Sequence, residues 1–144
     1  SKELSDKFNN GMEYFNSFGG NPVSCAIGHS VLKIIEEEEL QKNAFEVGNE
    51  LMKLLDQLKL NHEIIGDVRG KGLFIGIEII KDAKTLDPDQ ISTTSIVDEM
   101  RDRGILLSSD GPCHNVIKIK PPMVFDKSNA LFLVETLDKV LSKS

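Results

Sequence analysis

The chain has 144 residues, 40% of them hydrophobic and 28% charged, with a formal net charge of -6. That is enough apolar sequence for one cored domain, and the acidic balance without a Lys/Arg block excludes a nucleic-acid partner that would be held through its phosphate backbone. Cys25 and Cys113 are too few and too far apart in sequence for a disulfide scaffold, and no apolar run approaches a membrane span, so free thiols and no membrane are expected.

The sequence opens at Ser1 on a charged, Asn-rich stretch without the apolar centre of a signal peptide, which suits a processed form or an excised domain. Residues 1–15 are polar with scattered aromatics (Phe8, Tyr14, Phe15) and read as an arm or linker. Asn16-Ser17-Phe18-Gly19-Gly20-Asn21-Pro22 then forms a junction. The glycines permit positive φ and close approach, while Asn21 can cap and Pro22 can open a helix. Such a junction is either a loop with a good cap or an anion site, in which exposed N–H groups, the helix dipole and the Ser17 hydroxyl converge.

From Pro22 the residues Val23, Ile27, Val31, Ile34 and Ile35 recur at helical spacing and predict a helix to about Glu36. Leu40, Ala44, Val47, Leu51, Leu54 and Leu58 carry a second helix to about Asn61, making a long helical arm. Glu36 to Glu39 read as a solvated face or an acidic first turn. Residues 63–68 predict a strand, Arg69 to Gly72 a tight turn, and Leu73 to Ile80 an apolar strand. Gly70, Gly72 and Gly76 do not make a dinucleotide fingerprint, because a β-rich run and not a helix follows them. Gly70 and Gly72 are therefore assigned to the turn and Gly76 to close packing.

A helix is expected from about Gln90 to Arg103, a strand over Ile105 to Leu107, a loop over 108–115, a strand over Val116 to Lys120 and a last helix from about Lys127 to Ser142 capped by Asp126. This order describes an α+β fold, a small mixed or antiparallel sheet covered on one face by helices.

Chemistry-bearing residues are sparse. His29, His62, His114, Cys25 and Cys113 lack metal-ligand spacing, so no metal site is assigned. Adjacent Cys113 and His114 do not amount to a nucleophile and base, and no Gly-x-Ser-x-Gly elbow exists. Lys118 stands on the predicted strand Val116-Ile117-Lys118-Ile119-Lys120-Pro121-Pro122-Met123, either as an exposed lysine or as a binding cation.

Three stretches carry a resemblance. Phe15 to Ala26, Val68-Arg69-Gly70-Lys71-Gly72-Leu73 and Asn115 to Met123 resemble the C-terminal part of class III, ornithine-aminotransferase-like enzymes that use pyridoxal 5'-phosphate. The likeness covers about residues 15–141 and implies the small domain of a fold-type I enzyme. In that division residues 1–21 are an arm and Gly-Gly-Asn-Pro loop, and residues 22–144 are the helical arm and small domain, with the large cofactor domain outside this sequence. The resemblance places Ser17 where the family usually has a Thr on the cofactor phosphate of the neighbouring subunit. It places Lys118 where the family carries an Arg whose planar fork grips the substrate carboxylate, a geometry an ammonium cannot copy.

The wording around Lys118 is very similar to the branch containing ethanolamine-phosphate phospho-lyase and phosphohydroxylysine phospho-lyase, whose reacting amines sit on a carbon without a carboxylate. The implied partners are the chain's own large domain, a second subunit and a small amine substrate. The implied compartment is intracellular, mitochondrial by family, with the cytoplasm as the alternative. The Schiff-base lysine is expected upstream, so no catalytic residue is assigned here and the piece alone is expected to be inactive. Two other readings stand beside the phospho-lyase: an ordinary class III transaminase and a non-catalytic α+β binding or dimerisation module.

Overall fold

The computed structural model describes residues 1–143, and the chain divides into two compact units, Ser1–Ile35 and Glu36–Ser144. In the first unit the expected arm carries a short helix, α1 (Lys2–Phe8), capped where the Ser1 hydroxyl accepts from the Leu4 N–H at 3.4 Å. A Lys7–Glu3 pair at 3.1 Å supports the same helix. None of its residues is buried, and its seven residues are too few for a periodicity to show in the sequence. The rings of Phe8 and Tyr14 meet edge-on with centroids 5.6 Å apart. The second helix, α2 (Pro22–Glu37), starts at the expected Asn21-Pro22 junction. Its regular stripe is exposed: Val23 is 68% and Ile27 61% accessible, so the periodicity marks a face that the first unit does not bury.

The second unit begins where Glu39 takes a left-handed φ of 49° ahead of α3 (Leu40–Asn61). There follow β1 (Ile65–Lys71), β2 (Phe74–Ile79), α4 (Gln90–Asp102), β3 (Ser108–Asp110), β4 (Val116–Ile119) and α5 (Lys127–Leu141). The strands form one sheet in the order β1-β2-β4-β3, antiparallel at every pairing. This is the expected α+β architecture, with the sheet antiparallel throughout.

Alternation turns Ile75, Ile77 and Ile79 of β2, with Ile117 and Ile119 of β4, to one face, where each is at most 2% exposed. Val47, Leu51, Leu55 and Leu58 of α3, Ile96 and Met100 of α4, and Leu133, Leu137 and Val140 of α5 join them in a single core. Burying each large aliphatic chain contributes roughly 1.5–3 kcal/mol before entropy is counted. All three helices therefore lie on one face, and the other carries the polar side chains.

Two expectations are corrected. The hairpin turn is not Arg69 to Gly72. Lys71 pairs with Phe74, leaving only Gly72 and Leu73 between the strands, and Gly72 supplies the φ of +57°. Gly70 thus lies within β1, where a Cβ would press on the Phe74 carbonyl and the Ile75 backbone, so close packing and not turn formation requires it. The third strand is not Ile105 to Leu107 but Ser108–Asp110, inside the stretch read as loop. Its place is fixed by pairing with β4, Ser108 opposite Lys118 and Asp110 opposite Val116. A register shift between Ile65 and Asp67 interrupts the otherwise regular β1–β2 ladder.

Candidate functional site

The junction in the first unit is built by two asparagines. Asn16 Oδ1 accepts from the Phe18 N–H at 3.0 Å and the Gly19 N–H at 2.9 Å, closing an Asx turn, while Gly20 takes a φ of +74°. Asn21 Oδ1 accepts from the Ser24 N–H at 2.9 Å, so Asn21 is the cap read from the sequence. Its amide donates to the Phe18 carbonyl at 2.8 Å and to the Ser24 hydroxyl at 2.9 Å, tying turn to helix. Three N–H groups are thereby spent internally. What the junction presents outward is the exposed Ser17 hydroxyl, which takes no part in those bonds, and the Gly19-Gly20 backbone beside it. These residues fit one edge of a phosphate, a hydroxyl donor next to backbone without a side chain, and not a whole cofactor cradle.

The second candidate, Lys118, sits in the second unit on the sheet's open face. The β4 strand that carries it is pinned at both ends. At its start buried Asn115 donates from Nδ2 to the Ile79 carbonyl at 2.9 Å, and the Ile79 N–H donates back to the Asn115 carbonyl at 2.7 Å. Beyond Pro121-Pro122, Asn43 Nδ2 of α3 donates to the Met123 and Phe125 carbonyls at 2.8 and 3.0 Å. Between those anchors Lys118 lies opposite Gly76 on one side and Ser108 on the other. Arg69 lies opposite Gly76 from β1, so the two cations flank a residue without a side chain in one cross-strand row.

That row is the floor of an open groove of about 550 Å³, walled by Arg69, Phe74, Asp110, Val116 and Lys118. Neither cation is idle. Lys118 Nζ donates to Asp110 Oδ2 at 2.7 Å, with Lys118 28% and Asp110 58% exposed. The Asp110 carboxyl is held below its ordinary value of 3.8, first by that bond and then by the Gly111 N–H. Arg69 Nη1 donates to Asp67 Oδ2 at 2.8 Å and to Glu78 Oε2 at 2.6 Å. Those two hydrogen bonds raise its pKa further, so it remains a guanidinium throughout. Asp110 and the Arg69 triad escaped the sequence reading, because pairing across strands depends on register and no local motif announces it.

A second cavity, about 350 Å³, lies where Leu106, Pro121, Phe125 and Phe132 meet, with Lys120 and Asn129 as the polar side chains of its largely apolar wall. Cys113 and His114 are both exposed, and His114 takes a φ of 51° in the β3–β4 loop. Among the described residues no group of three His, Cys, Asp or Glu side chains could hold a metal ion, and no helix is long and apolar enough to cross a membrane.

Known proteins show a similar sequence and fold. The family described as Aminotransferase class-III matches residues 1–141. An Arabidopsis thaliana protein named alanine–glyoxylate aminotransferase 2 homolog 2, mitochondrial, is 49% identical over 90% of this chain and 27% of its own length. A Caenorhabditis elegans protein named ethanolamine-phosphate phospho-lyase homolog 1 is 44% identical over 98% of this chain and 30% of its own. Among solved structures, a phospholyase from Arthrobacter in complex with phosphoethanolamine superposes with a TM-score of 0.93 at 38% identity, over all of this chain and 34% of that one. The chain thus spans about a third or less of the relatives it matches. The cofactor of these enzymes is pyridoxal phosphate. With the family matched over nearly its whole length and the expected small-domain fold in place, the chain belongs to the class III aminotransferases.

Proposed function

We propose that the full-length enzyme is a phospho-lyase acting on ethanolamine phosphate or a similar phosphorylated amine. The C–O bond to phosphate breaks after a proton leaves the amine-bearing carbon, and ammonia is released on hydrolysis. Pyridoxal phosphate, held mostly by the large domain, supplies the electron sink for that proton loss. In this reading residues 1–21 are the arm and loop and residues 22–144 the helical arm and small domain. The partners are the chain's own large domain and a second subunit, and the compartment is mitochondrial, as in the name of the Arabidopsis relative.

This chain's residues contribute two groups. Ser17 would donate its hydroxyl to the cofactor phosphate of the neighbouring subunit, and Lys118 would face the substrate. The observation that carries the reading is Lys118 itself. A family enzyme that takes amino acids needs a guanidinium fork for the carboxylate, and this chain offers a single ammonium engaged by Asp110 at 2.7 Å. Support also comes from the relative named as a phospho-lyase and from the neighbour bound to phosphoethanolamine. A class III transaminase is the second reading, favoured by the Arabidopsis relative's name. Family membership weighs against a non-catalytic module.

Inorganic phosphate release from ethanolamine phosphate, and keto-acid-dependent amino transfer from alanine and ornithine, are to be measured on one preparation of the full-length enzyme. Phosphate release with little transfer is expected. Robust transfer without phosphate release would overturn the proposal in favour of the transaminase.

A further inference from the structure

The open face of the sheet is crowded with charge of both signs. On β1 stand Asp67, Arg69 and Lys71, on β2 Glu78, on β3 Asp110 and on β4 Lys118, three carboxylates and three cations. Arg69 is shared between Asp67 and Glu78, both within hydrogen-bond distance. Of the two cations that line the groove, Lys118 is the less heavily compensated, and it stands on one of the two inner strands, over Gly76. An anionic ligand entering the groove would therefore approach Lys118 first.

Asp110 is placed to obstruct that approach. It sits opposite Val116, two residues from Lys118 along β4, the diagonal offset that a long side chain reaches across. Both of its oxygens are held, Oδ2 by Lys118 Nζ at 2.7 Å and Oδ1 by the Gly111 N–H at 2.8 Å. Gly111 has a φ of +84°, a conformation that fits glycine. The carboxylate thus has a partner on each oxygen and stands beside the ammonium. Any small anion that bonds Lys118 must either displace Asp110 or sit beside a like charge.

We infer that Asp110 is a specificity-determining residue that masks Lys118 and makes the groove reject substrates presenting a carboxylate there. The inference rests on the reading of Lys118 as a substrate-facing residue. It adds to it the element that repels the wrong ligand, since selectivity needs a penalty against the competitor as well as attraction to the substrate. A neutral side chain at Lys118 would also lack attraction for a carboxylate. The Asp110–Lys118 pair goes further, because the ion pair leaves a carboxylate without an unshared cation and adds a charge that opposes it.

The test uses the full-length enzyme and propionate, a carboxylate without an amine, with binding followed by calorimetry. Asp110→Asn keeps the size and the acceptor oxygen but removes the charge. It is expected to tighten propionate binding by about three- to fivefold, the scale of a partly exposed charge pair. The gain should fade in about 1 M salt, where the Debye length is near 3 Å. It should vanish in Asp110→Asn/Lys118→Ala, and Asp110→Glu should behave like the wild type. Unchanged propionate affinity in Asp110→Asn, or a gain that survives loss of Lys118, overturns the inference. These outcomes are separate from those that test the phospho-lyase reading. That reading fails if the wild-type enzyme transfers amino groups and releases no phosphate, whatever Asp110→Asn does to propionate.

Discussion

Ser17 and Lys118 illustrate how differently two side chains of the same sequence can be supported. Ser17 stands beside a turn whose hydrogen bonds are made by its neighbours Asn16 and Asn21, so the turn keeps its shape when the hydroxyl is lost. Ser17→Ala in the full-length enzyme is therefore expected to weaken cofactor binding without unfolding the junction. Loss of one hydrogen bond to a charged group corresponds to roughly 1.5–3 kcal/mol, or about ten- to a hundredfold in the dissociation constant. Titrating cofactor into the full-length apoenzyme measures it, and equal affinity in mutant and wild type would overturn the assignment of Ser17 to the phosphate. Lys118 has the opposite character. Its position is set by a strand anchored at Asn115 and Asn43, and its charge is set against Asp110, so substituting it alters an electrostatic balance as well as a contact.

At the scale of elements, helix caps give the clearest link between sequence and stability. Asp89 accepts from the Ser92 N–H at 3.0 Å at the start of α4, and Asp126 accepts from the Asn129 N–H at 2.9 Å at the start of α5. Those backbone bonds are the main reason that both carboxyls lie below their ordinary value of 3.8. A carboxyl with a depressed folded value stabilises the protein fully above its unfolded value and loses that contribution as pH falls through the folded one. Thermal unfolding midpoints measured from about pH 6 down to about pH 3 should fall less steeply in Asp89→Asn/Asp126→Asn, which still caps but does not titrate, than in the wild type. Equal slopes would mean that the caps contribute nothing to acid sensitivity. The Asp126 cap was legible because it is local, as were the apolar stripes of α3, α4 and α5 that fill the core, whereas Asp89 reads in the sequence only as the end of a charged loop. The strand over Ser108–Asp110 was not: Ile105 to Leu107 looked more strand-like, but pairing with β4 selects the Ser-Ser-Asp stretch. Gly70 misled for a related reason, since a glycine needed for close packing inside a strand looks, in sequence, like a turn glycine. The Lys118 position was readable, whereas its partner Asp110 was not, because the seven intervening residues, a loop among them, decide that they meet.

For the molecule as a whole, the chain's share of its relatives' length governs what it does alone. With the Schiff-base lysine expected in the large domain, the isolated 144-residue chain should form no specific aldimine with pyridoxal phosphate. Borohydride trapping followed by peptide mapping checks this. Scattered partial labelling of surface lysines is expected, and one lysine labelled at high occupancy would overturn it. The exposed stripe of α2 belongs at this scale too, since Val23 and Ile27 are readable as a helix face but not as a face that the first unit leaves unburied. The register shift in β1 has a consequence for how copies of the chain behave when crowded. Outer strands offer unpaired N–H and C=O groups to any passing chain, and a long flat edge invites the first step of fibril growth. Here β3 presents three residues, and β1 breaks its ladder between Ile65 and Asp67 and carries Arg69 and Lys71 along its far half. A neighbour attempting to extend the sheet from β1 would lose its register after a few residues and meet fixed positive charge, so growth by strand addition is blunted at both edges.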